Sequence, residues 1–128
     1  MKNNFLQNLY LWLSLISLPI TAFSQSTDFI IQDVKFESQG ITLAGSILKP
    51  KNPFAAVVIV HGSDPVKREM EFAKRLAKEG IAVLTYDKRG VGESGGIYVG
   101  PSVGTNNIDT TNLNLLSSDA NAAVNTFR

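Results

Sequence analysis

The sequence predicts an α/β fold in which an antiparallel hairpin leads into a β-α-β unit with parallel strands, preceded by a signal peptide. Two segments around a Gln-Gly turn alternate between apolar and polar residues, and two continuous apolar runs follow on either side of a helical pattern. The first two dozen residues are mostly apolar. Of the 128 residues, 44% are hydrophobic and 18% are charged, which fits one globular domain and disfavours a disordered chain.

The N-terminal segment, residues 1–24, has the layout of a signal peptide. Lys2 supplies a positive charge, an apolar run reaches Leu18, and small residues precede a predicted cleavage site near Ser24/Gln25. We therefore expect an exported protein, periplasmic or extracellular after cleavage, whose domain comprises residues 25–128. Retention of the segment as a membrane anchor is the alternative, although the run is short for a span and contains polar residues.

The domain is expected to begin with the hairpin. Strands are predicted over residues 29–38 and 41–48 because apolar and polar residues alternate in both, and Gln39-Gly40 supplies the turn between them. Residues 55–60 differ, since they form a β-branched run that is apolar on both faces. Such a run predicts a central parallel strand that is covered on both sides.

A helix, another buried strand, a loop and a second helix complete the predicted order. Asp64 and Pro65 are suited to the start of the first helix, and Gly80 ends it before a buried strand over residues 81–86. Residues 89–107 are glycine-rich and are expected to form a loop. The last helix is predicted from an apolar stripe at helical spacing, which consists of Leu113, Leu116, Ala120, Val124 and Phe127.

The numbers of charged residues, cysteines and histidines exclude several classes of function. Twelve Lys and Arg against eleven Asp and Glu give a net charge of +1, so no basic surface for nucleic acid is expected. The absence of cysteine excludes disulfides and a cysteine nucleophile, and a single histidine leaves little material for a zinc site. The first helix carries mixed charges that predict a solvated face: Lys67, Arg68, Glu69, Glu71, Lys74, Arg75, Lys78 and Glu79.

Two motifs resemble those of the α/β-hydrolase family. One is a buried strand that ends in His61-Gly62-Ser63, and the other is the turn Asp87-x-Arg89-Gly90-x-Gly92-x-Ser94 after the next strand. The resemblance covers residues 29–128 and corresponds to the N-terminal half of the family's fold. It implies that the nucleophile strand and the whole catalytic triad lie beyond Arg128, so that this chain alone would be inactive.

The resemblance also implies an activity for the full-length protein. Such a protein would be a serine hydrolase that cleaves an ester, thioester or peptide bond of a small-molecule or peptide substrate through an acyl-enzyme, without a cofactor. Backbone N–H groups would stabilise the oxyanion, and the loop after the third strand supplies one of them. The Ser63 amide is the first candidate and the Gly62 amide the second. Without the resemblance, a plain strand-to-helix turn explains the same residues.

The other motif residues are expected to support the loops. The family's catalytic histidine follows the nucleophile in the chain, whereas His61 precedes it, so His61 is expected to brace its own loop. Asp87 and Arg89 are expected to stabilise their turn through an ion pair or an Asx-type bond. Gly90, Gly92 and Ser94 belong to the same turn.

Two patterns in this turn match the sequence motifs of other kinds of functional site. Residues 92–96 satisfy G-x-S-x-G, but a loop rather than a helix follows Ser94, so Ser94 is not expected to be a nucleophile. Residues 90–95 satisfy G-x-G-x-x-G without opening a helix, so no dinucleotide cofactor is expected. Two alternatives to a hydrolase remain: a non-catalytic exported binding module with the same half-fold, and a membrane-anchored fragment.

Overall fold

The fold was analysed in a computed structural model of the chain. The structure describes residues 29–62, 64–98 and 110–128, and in the last helix it describes side chains from Leu113 onward. The predicted signal peptide and its cleavage site lie outside the described residues, as does Ser63. The elements in chain order are β1 (Phe29–Ser38), β2 (Ile41–Pro50), β3 (Ala55–Ile59), α1 (Met70–Lys78), β4 (Ile81–Tyr86) and α2 (Thr110–Thr126).

The predicted hairpin is confirmed. β1 and β2 pair antiparallel along their whole length, from Phe29 opposite Pro50 to Ser38 opposite Ile41. The two turn residues have positive φ angles, 48° at Gln39 and 74° at Gly40, as tight hairpin turns with the twist of the strands require. β2 extends two residues beyond its predicted end.

The sheet has the order β1-β2-β4-β3, with β4 antiparallel to β2 and parallel to β3. This arrangement confirms the predicted α/β class with a leading hairpin and a parallel pair. The parallel pairing predicted for residues 55–60 is confirmed, and in the described part of the sheet β4 lies between β2 and β3, so β3 has one edge without a partner strand there. Ala55 and Ala56 are exposed, and the rest of β3 is half-buried.

The two helices pack on opposite faces of the sheet. α1 contributes Ala73 and Ala77 to a core that also contains Val83 of β4. α2 contributes Ala123 to a second core that contains the next residue, Leu84. Successive side chains of a strand point to opposite faces, so β4 provides the centre of both cores. Neither helix in the described part of the chain is long and apolar enough to cross a membrane.

The first helix begins later than predicted. α1 starts at Met70 with Glu69 as its N-cap, so Asp64 and Pro65 do not begin it. The backbone N–H of Arg68 donates to Asp87 Oδ1 at 2.9 Å, and that of Glu69 donates to Thr85 Oγ1 at 2.9 Å. These bonds hold the preceding segment to the end of β4. The predicted end is confirmed, since α1 stops at Lys78 and Gly80 follows with φ 85°.

The predicted apolar stripe of the last helix is wrong in part. Leu113 and Val124 are 48% and 41% exposed, whereas Asp119 and Ala123 are buried. The buried face of α2 is displaced because the Asp119 carboxylate forms hydrogen bonds with Arg89, which follows β4, and with Ser38 of β1. The remaining stripe residues, Leu116, Ala120 and Phe127, are half-buried.

Candidate active-site edge

The two motifs meet at one edge of the sheet. β3 and β4 are parallel neighbours, with Ala55 opposite Ile81 and Ile59 opposite Thr85, so their carboxyl ends lie side by side. Two loops leave this edge: the β3–α1 loop, described over residues 60–62 and 64–69, and the β4–α2 loop, described over residues 87–98. Ligand sites of open α/β sheets form at the carboxyl ends of the strands.

The end of β4 holds both ends of the β3–α1 loop. At its start, the Nε2 atom of His61 forms a hydrogen bond with the Tyr86 carbonyl, and the two rings pack edge to face with centroids 5.0 Å apart. At its end lies the bond from the Glu69 N–H to the Thr85 hydroxyl described above. Because a carbonyl only accepts hydrogen bonds, His61 must carry a proton on Nε2. This geometry gives His61 a bracing contact of the expected kind.

The Asp87 carboxylate joins three segments. Oδ1 accepts the Arg68 N–H at 2.9 Å, and Oδ2 accepts the Glu93 N–H at 2.9 Å and the Arg68 guanidinium at 3.2 Å. Burial alone would raise the pKa of Asp87, but hydrogen bonds from the Arg68 side chain and from the two backbone N–H groups lower it overall. Asp87 therefore forms its ion pair with Arg68, not with Arg89.

Arg68 corrects the prediction that all charges of the α1 region lie on a solvated face. Its side chain is only 15% exposed and forms an ion pair with Asp33 of β1 as well as with Asp87. It also donates to the Ser46 hydroxyl at 3.0 Å and forms an ion pair with Glu93. The guanidinium thus binds the β3–α1 loop to the hairpin and to the β4–α2 loop. Sequence reasoning missed this role because helical charge patterns do not reveal contacts with distant strands.

Lys88 lies beneath the β3–α1 loop with only 2% of its surface exposed. Its Nζ atom donates to the carbonyl oxygens of Gly62 at 2.8 Å and of Asp64 at 3.3 Å. Its backbone N–H donates to the Val66 carbonyl at 3.2 Å. Burial lowers the pKa of the Lys88 ammonium, and the nearby Asp64 carboxylate opposes that shift. Lys88 lies inside the Asp87-x-Arg89 motif at a position that the motif leaves open.

The Ser94 hydroxyl is buried and forms hydrogen bonds with both its own turn and β2. It donates to the Asp87 carbonyl at 2.6 Å and accepts the Ala44 N–H of β2 at 3.0 Å. Gly90 and Gly92 have φ angles of 71° and 58°. A Cβ on Gly92 would lie 2.5 Å from Asp87 Oδ2, and one on Gly90 would lie 2.0 Å from the nitrogen of Tyr98. The three residues therefore shape a compact turn beside β4.

Arg89 connects this turn to α2. Its guanidinium donates to Asp119 through Nε at 3.1 Å and through Nη2 at 2.5 Å, and to the Ser38 carbonyl at 3.2 Å. The Ser38 hydroxyl donates to the same carboxylate at 2.6 Å. Asp119 is 1% exposed. Arg89 thus forms an ion pair, although its partner is Asp119, a residue for which the sequence analysis proposed no role.

The chain backbone is accessible at Gly62. A Cβ built on Gly62 would meet no atom of the described residues within 4 Å, its chain neighbours aside, so the described part of the chain leaves one side of the loop open at this residue. Ser63, whose amide is the first candidate for the oxyanion donor, is not among the described residues. In the described ranges, no group of three or more His, Asp or Glu side chains is placed to hold a metal ion.

Two clefts lie on the described surface. One of about 530 Å³ lies beside the β4–α2 loop and is lined by Arg68, Asp87, Gly92 and their neighbours. A larger one of about 720 Å³ lies at the opposite end of the strands, near Phe29 and Gly80. The smaller cleft lies at the carboxyl edge of the parallel pair, beside the ion pair of Arg68 and Asp87.

Comparisons with known proteins agree with this fold. Among solved structures, the chain is similar to the esterase Pf2001 of Pyrococcus furiosus, with 25% identity and a TM-score of 0.53 over 77% of this chain and 36% of that protein. It is also similar to the hypothetical protein PA2218 of Pseudomonas aeruginosa, with 25% identity and a TM-score of 0.56 over 82% and 32% of the two chains. The chain thus spans about a third of the length of these proteins.

A search of curated proteins found no match. A family model described as serine aminopeptidase, S33, matches residues 51–128, which is more than half of the chain and includes both motifs. The resemblance noted in the sequence is confirmed: the chain belongs to the serine aminopeptidase S33 family of α/β hydrolases.

Proposed function

We propose that this chain is the N-terminal part of an exported serine hydrolase that cleaves an ester, thioester or peptide bond through an acyl-enzyme. The observation that carries the proposal is the position of His61 and Gly62. They follow β3 after one residue, Val60, at the carboxyl edge of the sheet, in a loop that the end of β4 holds at several points. The similar protein from Pyrococcus furiosus is called an esterase, which supports an ester as the first substrate class to test.

The chemistry requires fixed hydrogen-bond donors. Attack on an acyl carbonyl places negative charge on its oxygen, and donors that are already oriented stabilise this charge without reorganisation. The backbone amides of Ser63 and Gly62 are our candidates for these donors. The open side of Gly62 supports this assignment, because a substrate carbonyl could approach the backbone there. The nucleophile, acid and base are expected beyond Arg128.

Active-site labelling tests the proposal directly. The full-length protein should turn over a p-nitrophenyl ester and should react with a fluorophosphonate, which labels activated serines. Mass spectrometry should locate the label on a serine beyond residue 128, and Ser94→Ala should still be labelled because the Ser94 hydroxyl is buried in hydrogen bonds to the Asp87 carbonyl and the Ala44 N–H. A folded protein without turnover or label would favour the non-catalytic binding module, and a label on Ser94 would refute our assignment of that residue.

Two substitutions of Ser63 test the oxyanion donor. Ser63→Ala retains the backbone N–H and should retain most of the activity. Ser63→Pro removes the N–H, so we expect a loss of about 100-fold or more in turnover. Equal losses in both variants would indicate a role for the hydroxyl instead.

Export is a separate part of the proposal. N-terminal sequencing of the protein recovered from the periplasm or medium should give a chain that begins near Gln25. Recovery of the intact N-terminus in the membrane fraction would favour the anchored alternative.

A further inference from the structure

Lys88 makes an unusual set of contacts with the β3–α1 loop. Its ammonium donates to the Gly62 and Asp64 carbonyls, and its own N–H donates to the Val66 carbonyl. Three carbonyls on alternate residues of one loop therefore converge on one residue of the neighbouring loop. The ammonium also lies 5.2 Å from the centre of the Tyr98 ring, which adds a cation–π contact.

These bonds set the direction of peptide units in the loop. In a trans peptide unit, the form that nearly all non-proline bonds take, the carbonyl and the N–H that follows it point in opposite directions. A bond to the carbonyl therefore restrains the orientation of its own unit; the unit that begins at Asp64 leads into Pro65 and carries no N–H. The unit that begins with the Gly62 carbonyl ends in the N–H that is our first candidate for the oxyanion donor.

We propose that Lys88 is a positioning residue for the oxyanion hole, which holds the Gly62 and Asp64 carbonyls beneath the loop and so restrains the peptide unit that begins at Gly62. This inference rests on the proposed function. Glycine has more accessible backbone conformations than other residues, so a peptide unit that begins at Gly62 needs an external contact to fix its orientation. The positive charge also polarises that unit, which strengthens its N–H as a donor.

The contacts at the two ends of the β3–α1 loop do not fix the carbonyls that Lys88 binds. His61 and Glu69 are bound to β4 at the two ends of the loop, whereas Lys88 reaches the carbonyls between them. An apolar side chain could fill the same buried space without the free-energy cost of burying an ammonium. The ammonium donates hydrogen bonds to two loop carbonyls, which a methionine of similar length could not do.

Kinetics of two variants test the inference in the full-length protein. Lys88→Met keeps the length of the side chain but removes its donors, and Lys88→Arg keeps a cation. Because an oxyanion contact acts in the transition state, we expect Lys88→Met to lower kcat by about 10- to 100-fold with KM changed by less than about threefold. Lys88→Arg should fall between wild type and Lys88→Met. Affinity for a boronic acid that forms a tetrahedral adduct should fall in parallel with kcat.

The control is Lys74→Met, which makes the same change at an exposed lysine paired only with Glu71 among the described residues. It should leave kcat, KM and boronate affinity unchanged. An unchanged kcat in folded Lys88→Met, or a loss found entirely in KM, would overturn the inference. So would failure of both Lys88 variants to give a cooperative melt, because Lys88 would then be required for folding rather than positioning. A wild-type protein without turnover would instead refute the proposed function.

Discussion

The buried ion pair between Arg89 and Asp119 gives a quantitative test of how the candidate site is attached to the fold. The side chains are 11% and 1% exposed, and the carboxylate accepts hydrogen bonds from Arg89 and from Ser38. Asp119→Asn keeps the shape and an acceptor for Ser38 but leaves the Arg89 charge buried without compensation. Breaking a buried pair in this way costs about 3–5 kcal/mol.

Urea unfolding of the full-length protein, followed by circular dichroism, measures this loss. With a slope of about 2–3 kcal/mol per molar urea, the midpoint should fall by about 1–2.5 M. The double variant Arg89→Met/Asp119→Asn should recover most of the loss because no unpaired charge remains. Lys74→Met breaks only an exposed pair and should stay near wild type. The reasoning is refuted if Asp119→Asn matches that control, or if the double variant loses as much as the two single variants together.

Further predictions concern the turn after β4 and the edge of the sheet. Ser94→Ala removes both buried hydrogen bonds of its hydroxyl, so it should lower the free energy of unfolding by about 1–3 kcal/mol in the same urea assay. Gly92→Ala should lower the melting temperature far more than Gly62→Ala, because only at Gly92 would the Cβ strike a carboxylate; equal melting temperatures would contradict this. Because its pKa is lowered on folding, the Asp87 carboxylate stabilises the protein above its unfolded-state pKa, and this contribution disappears as the pH falls through the folded-state pKa. The difference in unfolding free energy between wild type and Asp87→Asn should therefore shrink over that acidic range, and a constant difference would contradict the assigned bonds. Expressed alone, the chain should aggregate, because the described sheet leaves the outer edge of β3 without a partner strand; a soluble monomer whose β3 amides are all protected from hydrogen exchange would contradict this.

The parts of the fold that local patterns determine could be predicted from the sequence. The alternation in residues 29–48 and the Gln39-Gly40 turn define the hairpin, since strand faces and turn conformations depend on neighbouring residues. The apolar run at residues 81–86 likewise becomes the buried strand β4. The end of α1 was also predictable, because Gly80 adopts the left-handed conformation that commonly follows a helix.

The errors arise where polar side chains bind partners far away in the chain. Residues 64–69 carry helix-start signals, yet the N–H groups of Arg68 and Glu69 bind side chains at the end of β4 instead of continuing a helix. The face of α2 was predicted from its apolar residues, but Asp119 is buried against Arg89, which precedes it by 30 residues. Periodicity alone contains no information about such partners.

At the candidate site, too, the important contacts join residues that are far apart in the chain, so sequence patterns did not reveal them. The motif after β4 draws attention to Asp87, Arg89 and the glycines, whereas the contacts with the β3–α1 loop come from four successive residues, 85–88. Thr85, Asp87 and Lys88 make these bonds through their side chains, Tyr86 makes one through its carbonyl, and Lys88 adds one through its backbone N–H. Under the proposed function, the β3–α1 loop would present backbone N–H groups to a substrate, and it would need contacts that hold it in place. The neighbouring strand end supplies those contacts, so the two motifs form a single structural unit in which β4 orients the loop that follows β3.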